Sequence, residues 1–154
     1  SEGGKTRQES VQCGLRAAGK ADYYAIHDGA RPLILPTEID KVILDAHHWK
    51  ASFLGSAVKD TIKQIQQDKT VRATLDRDFL CAVETPQVFE AELYKKALEK
   101  ACEEGKNYTD DCQLIEQMGV PVHWCKSEFA NLKITVQDDV FIAESILKSR
   151  GEGI

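Results

Sequence analysis

Apolar residues recur with two different periods along the 154-residue chain. Apolar positions three and four residues apart predict amphipathic helices, and short apolar or aromatic runs between them predict strands. The predicted helices cover residues 6–18, 37–49, 90–104, 110–118 and 135–148. The predicted strands cover residues 22–27, 53–58, 120–125 and 131–135, and a further strand meets a helix at 85–87. Helices that alternate with strands are typical of an α/β fold.

Local polar signals mark where several of the predicted helices begin and end. Thr37 and Thr109 are placed to cap free backbone N–H groups at two helix starts, and Thr135 has the spacing of a capping box with Asp138. Glycines, which readily adopt the left-handed conformation that ends a helix, follow three of the helices at Gly19, Gly105 and Gly119. These signals support the helices independently of the apolar spacing.

The segment 60–77 departs from the helical pattern. Its apolar residues are spread among polar ones around a turn at 66–69, so we interpret it as a β-hairpin that projects from a single domain of residues 1–154. Such a hairpin carries apolar residues but has little of its own domain to cover. We therefore predict that it is a dimerisation arm, exchanged symmetrically between two copies of the chain.

Composition and charge narrow the class of partner. Hydrophobic residues make up 42% of the chain and charged residues 29%, which fits a globular protein rather than a disordered or fibrous one. The 20 Lys and Arg against 25 Asp and Glu give a net charge of −5, which argues against nucleic acid or an anionic membrane as the main partner. No apolar run approaches the roughly 20 residues of a membrane span, and residues 1–14 lack the apolar segment of a signal peptide, so we expect a cytoplasmic protein.

The cysteines and histidines do not predict a metal centre. The five cysteines include no C-x-x-C pair, and their odd number argues against a disulfide framework. The adjacent His47 and His48 cannot share one face of a helix, as ligands four residues apart would. We expect reduced cysteines and no transition-metal site built by the protein alone.

Polar residues that follow the predicted strands are the candidates for chemistry, because ligands of open α/β sheets bind beyond the carboxyl ends of the strands. After the strand at 22–27, Asp28 could hold Mg²⁺ or a ribose, and Arg31 in the same turn could neutralise a phosphate. By spacing alone, a plain turn in which Asp28 caps the backbone is the more common arrangement. The remaining clusters also have ordinary explanations. Residues 59–63 can be a strand exit, 85–87 a turn and 109–111 a helix start, and Lys133 can extend its side chain to the surface.

The order of these clusters along the chain is more specific than any one of them. Together they resemble the 2-C-methyl-D-erythritol 4-phosphate cytidylyltransferase family, enzymes of the non-mevalonate isoprenoid pathway. The matching stretches are GGxxRQxSVxxGL at 3–15, HDGARP at 27–32, VKDTIK at 58–63, LDR at 75–77, TPQxF at 85–89, TDD at 109–111 and NLKIT at 131–135.

The resemblance implies a Rossmann-like, doubly wound sheet of the nucleotidyltransferase type and a reaction at the α-phosphorus of CTP. The phosphate of methylerythritol phosphate would attack that phosphorus and release pyrophosphate. The implied substrates are therefore CTP and a polyol phosphate, with Mg²⁺ as the cofactor and a homodimer as the assembly.

The resemblance also implies a role for individual residues. Asp28 would lie beside the ribose and Mg²⁺, and the implied catalytic residues are Asp28, Arg77 and Lys133. The other nucleotide contacts would be Gly4, Lys5, Ser10 and Gly29. The polyol phosphate would be held by Arg31, Thr85, Thr109 and Lys133, with Thr61 and Arg77 reaching over on the arm of the opposite subunit.

One part of the family pattern has no counterpart in the chain. Family members begin with a strand and a Gly-rich, basic loop that wraps the CTP triphosphate, whereas the chain matches only the C-terminal two-thirds of the pattern. We therefore expect a fragment that is inactive by itself. Two alternatives stay open: a ribitol-5-phosphate cytidylyltransferase, which Gly29, Ala30 and Lys63 match less well, and a non-catalytic remnant for dimerisation or nucleotide sensing.

Overall fold

The computed structural model describes residues 2–152 and contains five α-helices and six strands in that range; Ser1 and residues 153–154, at the ends of the predicted domain, lie outside the described residues. The helices are α1 (Arg7–Ala18), α2 (Pro36–Trp49), α3 (Ala91–Glu103), α4 (Asp111–Glu116) and α5 (Gln137–Ser149). The strands are β1 (Tyr23–Ile26), β2 (Ala51–Ala57), β3 (Lys63–Ile65), β4 (Val71–Thr74), β5 (Cys81–Glu90) and β6 (His123–Lys126). No helix within residues 2–152 has the length and apolar character needed to cross a bilayer.

The main sheet has four strands in the order β1-β5-β2-β6. Strand β5 runs antiparallel to both of its neighbours, and β2 and β6 run parallel. In this register Phe53 of β2 lies between Gln87 of β5 and Trp124 of β6. The predicted α/β class is confirmed, with a sheet that is mixed rather than wholly parallel.

Helices cover both faces of this sheet. Neighbouring residues of a strand point to opposite faces, and buried apolar residues on each face pack against helices. Leu54 and Val88 pack under α2, against Val42 and Ala46. The residues next to them in the strands belong to a second cluster, on the side of α1, α3 and α4. Its buried members include Phe53, Phe89, Tyr94, Leu98, Leu114 and Ile115. The sheet is thus the middle layer of three.

Two segments differ from the predicted strands. Residues 85–87 lie inside β5 and not at a strand-to-helix junction, since β5 continues to Glu90 before α3 begins. Residues 131–135 form a loop, so the strand predicted there is wrong. The loop is held near the sheet by single contacts, such as the backbone hydrogen bond from Ile134 N to Ala30 O, and not by a ladder.

The predicted caps are wrong at three helices. Pro36 is the first residue of α2, so Thr37 already lies inside the helix. At α4 the N-cap residue is Asp110 rather than Thr109. At α5 the helix begins at Gln137, and Asp139, not Asp138, accepts hydrogen bonds from the backbone N–H groups of Thr135 (2.7 Å) and Val136 (3.0 Å). Each cap lies within two residues of its predicted position.

Strands β3 and β4 form the predicted hairpin, which is a separate two-stranded sheet. Its antiparallel register pairs Lys63 with Thr74 and Gln64 with Ala73. The side chains of Ile65 and Val71 are more than half exposed. The arm therefore buries little of its apolar surface within one chain, and its use as a dimerisation arm stays a prediction.

Candidate active site

A single carboxylate surrounded by three cations lies beyond the carboxyl end of β1. Asp28 Oδ2 is 3.0 Å from Lys133 Nζ and 3.7 Å from Arg31 Nε, and Asp28 Oδ1 is 3.8 Å from Arg7 Nε. The cations come from the start of α1, the turn after β1 and the loop before α5. All four side chains line a cavity of about 380 Å³. Arg7, Arg31 and Lys133 could bind an anionic group of a ligand, while Glu84 and Asp110 add two further carboxylates to the cavity lining.

The three cations keep Asp28 ionised. Burial alone would raise the pKa of this carboxyl group, but the hydrogen bond and charge of Lys133, followed by the charges of Arg7 and Arg31, outweigh burial and lower it below its ordinary value. Asp28 is therefore ionised at neutral pH and acts as a hydrogen-bond acceptor for Lys133.

Thr85 fixes the turn that carries Asp28. Its hydroxyl oxygen accepts a hydrogen bond from the backbone N–H of Asp28 (3.0 Å) and lies 2.9 Å from His27 Nδ1. His27 Nε2 lies 3.1 Å from the carbonyl oxygen of Arg31. Because that carbonyl can only accept, Nε2 carries a proton, and in the neutral imidazole Nδ1 accepts from the Thr85 hydroxyl. The Thr85 hydrogen is thus already used to position the turn.

Asn131 connects the loop of Lys133 to the same site. The backbone carbonyl oxygen of Asn131 accepts a hydrogen bond from Arg31 Nη1 (2.7 Å). The side-chain Nδ2 of Asn131 donates to the backbone carbonyl oxygen of Thr85 (2.8 Å). Arg31 Nε is buried and has no hydrogen-bond partner among residues 2–152. A ligand oxygen could take that place, because a buried N–H without an acceptor is unfavourable.

Arg7 is held from behind by a buried acid. Its Nη1 lies 2.6 Å from Asp111 Oδ2, and the Tyr94 hydroxyl donates to Asp111 Oδ1 at 2.6 Å. Burial by itself would lower the pKa of Arg7, but the carboxylates of Asp111 and Asp28 more than offset this and raise it. Arg7 therefore stays charged, with its guanidinium fixed between two acids.

The structure brings most of the predicted substrate residues together. The predicted site residues that line the cavity are Asp28, Arg31, Thr85, Thr109 and Lys133. Gly29 is in the same turn as Asp28. Thr61 and Arg77 belong to the arm region and do not line the cavity; Arg77 Nη1 instead donates to the carbonyl oxygen of Lys59 at 2.6 Å.

The predicted nucleotide contacts at the start of α1 form a tight turn beside this cavity. The backbone N–H of Gly4 donates to Ser10 Oγ (3.0 Å), and the backbone N–H of Lys5 donates to Glu9 Oε2 (2.6 Å). A Cβ atom on Gly4 would overlap the Cβ of Glu9, so this turn has no room for a side chain at Gly4. Close backbone approach is therefore built into the segment.

Sequence reasoning missed three residues of the cavity region. Arg7, Gln87 and Asp111 lie in the matched stretches at 3–15, 85–89 and 109–111, but none has a predicted role, and Gln87 and Asp111 are buried. Their place in these stretches is the signal that could have indicated them.

Asp28 is a single carboxylate, and this limits the metal it could hold. The part of the chain that the structure describes has no cluster of three or more His, Cys, Asp or Glu side chains placed to bind a metal. Mg²⁺, however, is often bound by one or two carboxylates together with substrate phosphates and water. Asp28 fits a metal ion of this shared kind.

The three-layer fold, with a cleft beyond β1 that Arg7, Arg31 and Lys133 line, is that of a nucleotidyltransferase-type α/β domain. Residues 1–149 match the sequence model of one family in that class, 2-C-methyl-D-erythritol 4-phosphate cytidylyltransferase. The chain belongs to this family, as its ordered motifs predicted.

Relatives and solved structures agree with this assignment. The chain is 45% identical to the 2-C-methyl-D-erythritol 4-phosphate cytidylyltransferase of Caldanaerobacter subterraneus subsp. tengcongensis and 44% identical to that of Desulforamulus reducens, over 96% of its length in each case. It spans 65% and 64% of the length of these two relatives.

Two crystal structures are similar to the fold. The 4-diphosphocytidyl-2C-methyl-D-erythritol synthase of Anaerococcus prevotii superposes with a TM-score of 0.88 at 33% identity, covering 95% of this chain and 68% of that one. The 2-C-methyl-D-erythritol 4-phosphate cytidylyltransferase of Thermus thermophilus gives 0.85 at 30% identity, covering 96% and 72%. The mixed sheet and its helices are therefore those of the family.

Proposed function

We propose that the protein transfers a cytidylyl group from CTP to 2-C-methyl-D-erythritol 4-phosphate in the non-mevalonate route to isoprenoids. A phosphate oxygen of the polyol phosphate attacks the α-phosphorus of CTP, the bond from that phosphorus to the β-phosphate oxygen breaks, and pyrophosphate leaves. The products are 4-diphosphocytidyl-2-C-methylerythritol and pyrophosphate. Family membership supports the reaction, and the observation that carries it is the convergence of Arg7, Arg31 and Lys133 on Asp28.

Positioning and charge neutralisation are the main requirements of phosphoryl transfer. Arg31 and Lys133 are placed to hold the phosphate of the polyol, and the buried Nε of Arg31 offers a hydrogen-bond donor for it. Asp28 would hold Mg²⁺ together with the CTP phosphates, and this ion would supply charge neutralisation at the α-phosphate. Thr85 keeps Asp28 in place through its backbone N–H.

The nucleotide base lies, in this proposal, against the turn at the start of α1. Gly4, Lys5 and Ser10 lie in this segment, and Gly29 lies in the turn beside the ribose-binding Asp28. Thr109 lines the cavity with Lys133 and adds a hydroxyl for the polyol phosphate. CTP and phosphorylated polyols are highly charged metabolites that do not cross bilayers unaided, so we place the reaction in the cytoplasm.

We further propose that the active enzyme is a homodimer in which Thr61 and Arg77 complete the site of the opposite subunit. Support comes from the apolar surface that the arm and the residues after it leave exposed. Its exposed members are Ile65, Val71, Leu75, Phe79 and Val83. Phe79 is 86% exposed, and a side chain of this size is usually covered in the functional assembly.

The test is pyrophosphate release by the native polypeptide expressed from its complete gene, with CTP, Mg²⁺ and either methylerythritol phosphate or ribitol 5-phosphate. We expect turnover with methylerythritol phosphate. Faster turnover of ribitol 5-phosphate would overturn the substrate assignment, and nucleotide binding without turnover of either ester would favour the non-catalytic alternative. Chelation with EDTA should abolish turnover, and added Mg²⁺ should restore it.

A further inference from the structure

Gln87 is a buried residue in the wall of the cavity, and only the NH₂ group of its side-chain amide is hydrogen-bonded within residues 2–152. It lies in β5, is 1% exposed, and lines the cavity together with Thr85, Thr109 and Asp110. Its Nε2 donates a hydrogen bond to Asp110 Oδ1. Its Oε1 is buried and accepts no hydrogen bond from any residue in the range 2–152.

The orientation of this amide follows from its partner. An ionised carboxylate can only accept hydrogen bonds, so the NH₂ group of Gln87 must face Asp110 and the carbonyl oxygen must face away from it. Asp110 is itself held at the start of α4. The carbonyl oxygen of Gln87 is therefore the end of the amide that faces away from Asp110.

The unpaired carbonyl oxygen of Gln87 can form a hydrogen bond only with a ligand group that donates one. Phosphate oxygens at neutral pH are acceptors and cannot satisfy it, whereas a hydroxyl group can donate to it. Arg31 and Lys133 in the same cavity provide for the phosphate. The combination of cations with a buried acceptor suits a molecule that carries both a phosphate and hydroxyl groups.

We propose that Gln87 is a specificity-determining residue, whose Oε1 accepts a hydrogen bond from a hydroxyl group of the polyol phosphate while Asp110 holds the amide in orientation. This inference rests on the proposed function and adds to it a contact with the carbon chain of the substrate. A site built to pair with a hydroxyl discriminates strongly against an analogue that lacks it, because the buried acceptor is then left unpaired.

The test uses the native polypeptide with Gln87→Met, which keeps the length of the side chain and removes the acceptor. We expect the KM for methylerythritol phosphate to rise about tenfold or more, the KM for CTP to stay within about twofold, and the unfolding temperature to fall no further than in Asp110→Ala, because both changes break the hydrogen bond from Gln87 Nε2 to Asp110 Oδ1. The matched control is Gln137→Met, the same change at an exposed position at the start of α5 and outside the cavity lining. It should leave both KM values unchanged.

Asp110→Ala provides a second variant outside the sheet. It frees the amide of Gln87 and should raise the KM for the polyol phosphate with little change in kcat. Analogues of methylerythritol phosphate lacking one hydroxyl each identify the contact: one of them should bind wild type at least about tenfold more weakly, and this difference should vanish in Gln87→Met.

The outcomes separate the two proposals. An active wild type whose KM for the polyol phosphate is unchanged by Gln87→Met and Asp110→Ala would overturn this inference and leave the proposed function intact. A rise in both KM values together with a lowered unfolding temperature would show a structural role for Gln87 and overturn it as well. A wild type that turns over no polyol phosphate would overturn the proposed function itself, and with it the role given to Gln87.

Discussion

The Lys133 ammonium group lies 3.0 Å from the Asp28 carboxylate, although one residue follows β1 and the other precedes α5. Both residues line the cavity. The side chain of Lys133 is 46% exposed, so the pair is partly open to solvent. A bound phosphate would attract Lys133, and a bound cation would attract Asp28. Ligand binding and this ion pair are therefore linked.

Replacing Lys133 with Met should weaken capture of the polyol phosphate. A charge-assisted hydrogen bond contributes about 1.5–3 kcal/mol, so kcat/KM for this substrate should fall by roughly 10- to 100-fold. Initial rates at varied polyol phosphate and fixed CTP measure the loss. Lys148→Met, on α5, is the matched control and should behave as wild type. An unchanged kcat/KM would remove Lys133 from the phosphate site.

Acid should destabilise the protein through Asp28. The pKa of Asp28 in the folded state lies below the ordinary value of 3.8, so the unfolded chain binds the proton more readily. The stabilisation is present above pH 3.8 and is lost as the pH falls through the lower pKa of the folded state. Urea denaturation of wild type and Asp28→Asn at pH 6 and pH 3 measures it.

The difference in unfolding free energy between wild type and Asp28→Asn should be smaller at pH 3 than at pH 6. Asp138→Asn, an exposed acid in the first turn of α5, provides the comparison for a carboxyl group outside the site. If the Asp28→Asn variant kept the same difference from wild type at both pH values, the cations around Asp28 would not be stabilising its ionised form.

The anchor of Arg7 should contribute to stability. Asp111→Ala leaves the Tyr94 hydroxyl buried without its acceptor and Arg7 without its close partner, which predicts a loss of about 1–3 kcal/mol in unfolding free energy. Tyr94→Phe removes one hydrogen bond from the same carboxylate and should cost less. Chemical denaturation of both variants beside Asp138→Ala measures the effect. Equal stability of all three would show that the buried pair is energetically neutral.

Local patterns predicted the elements of this fold better than their long-range pairing. The five helices and the hairpin follow from apolar spacing and glycine stops, which act within a few residues. The length and antiparallel direction of β5 do not, because they depend on pairing with β1 and β2 far away in the chain.

The same distinction applies to the site. Asp28, Arg31, Thr85, Thr109 and Lys133 line one cavity, which agrees with a family pattern that carries tertiary information, and their roles stay predictions. The sequence could not predict the hydrogen bond between the Thr85 hydroxyl and the Asp28 turn. Residues 85–87 lie inside a strand, and no local signal specifies the register of that strand.

We predict a homodimer in which each active site contains residues of both subunits. If Arg77 acts in the site of the opposite subunit while Asp28 acts in its own, then Arg77→Ala and Asp28→Asn each inactivate a homodimer. In a hybrid of the two variants one site receives both defects and the other receives none. Random one-to-one mixing makes half of the dimers hybrids with one intact site in two, so co-expression should restore about one quarter of wild-type activity.

The complementation is measured on the native polypeptide, with differently tagged variants co-expressed and the hybrids purified through both tags. Purified hybrids should show about half of wild-type activity, because one of the two sites is intact. Arg72→Ala, an exposed arginine of β4, paired with Asp28→Asn is the control: hybrids should again carry half activity, but the Arg72→Ala homodimer should be active by itself. Hybrids of Arg77→Ala and Asp28→Asn that are as inactive as either parent would place Arg77 in the site of its own subunit, and the exposed arm would then need another explanation.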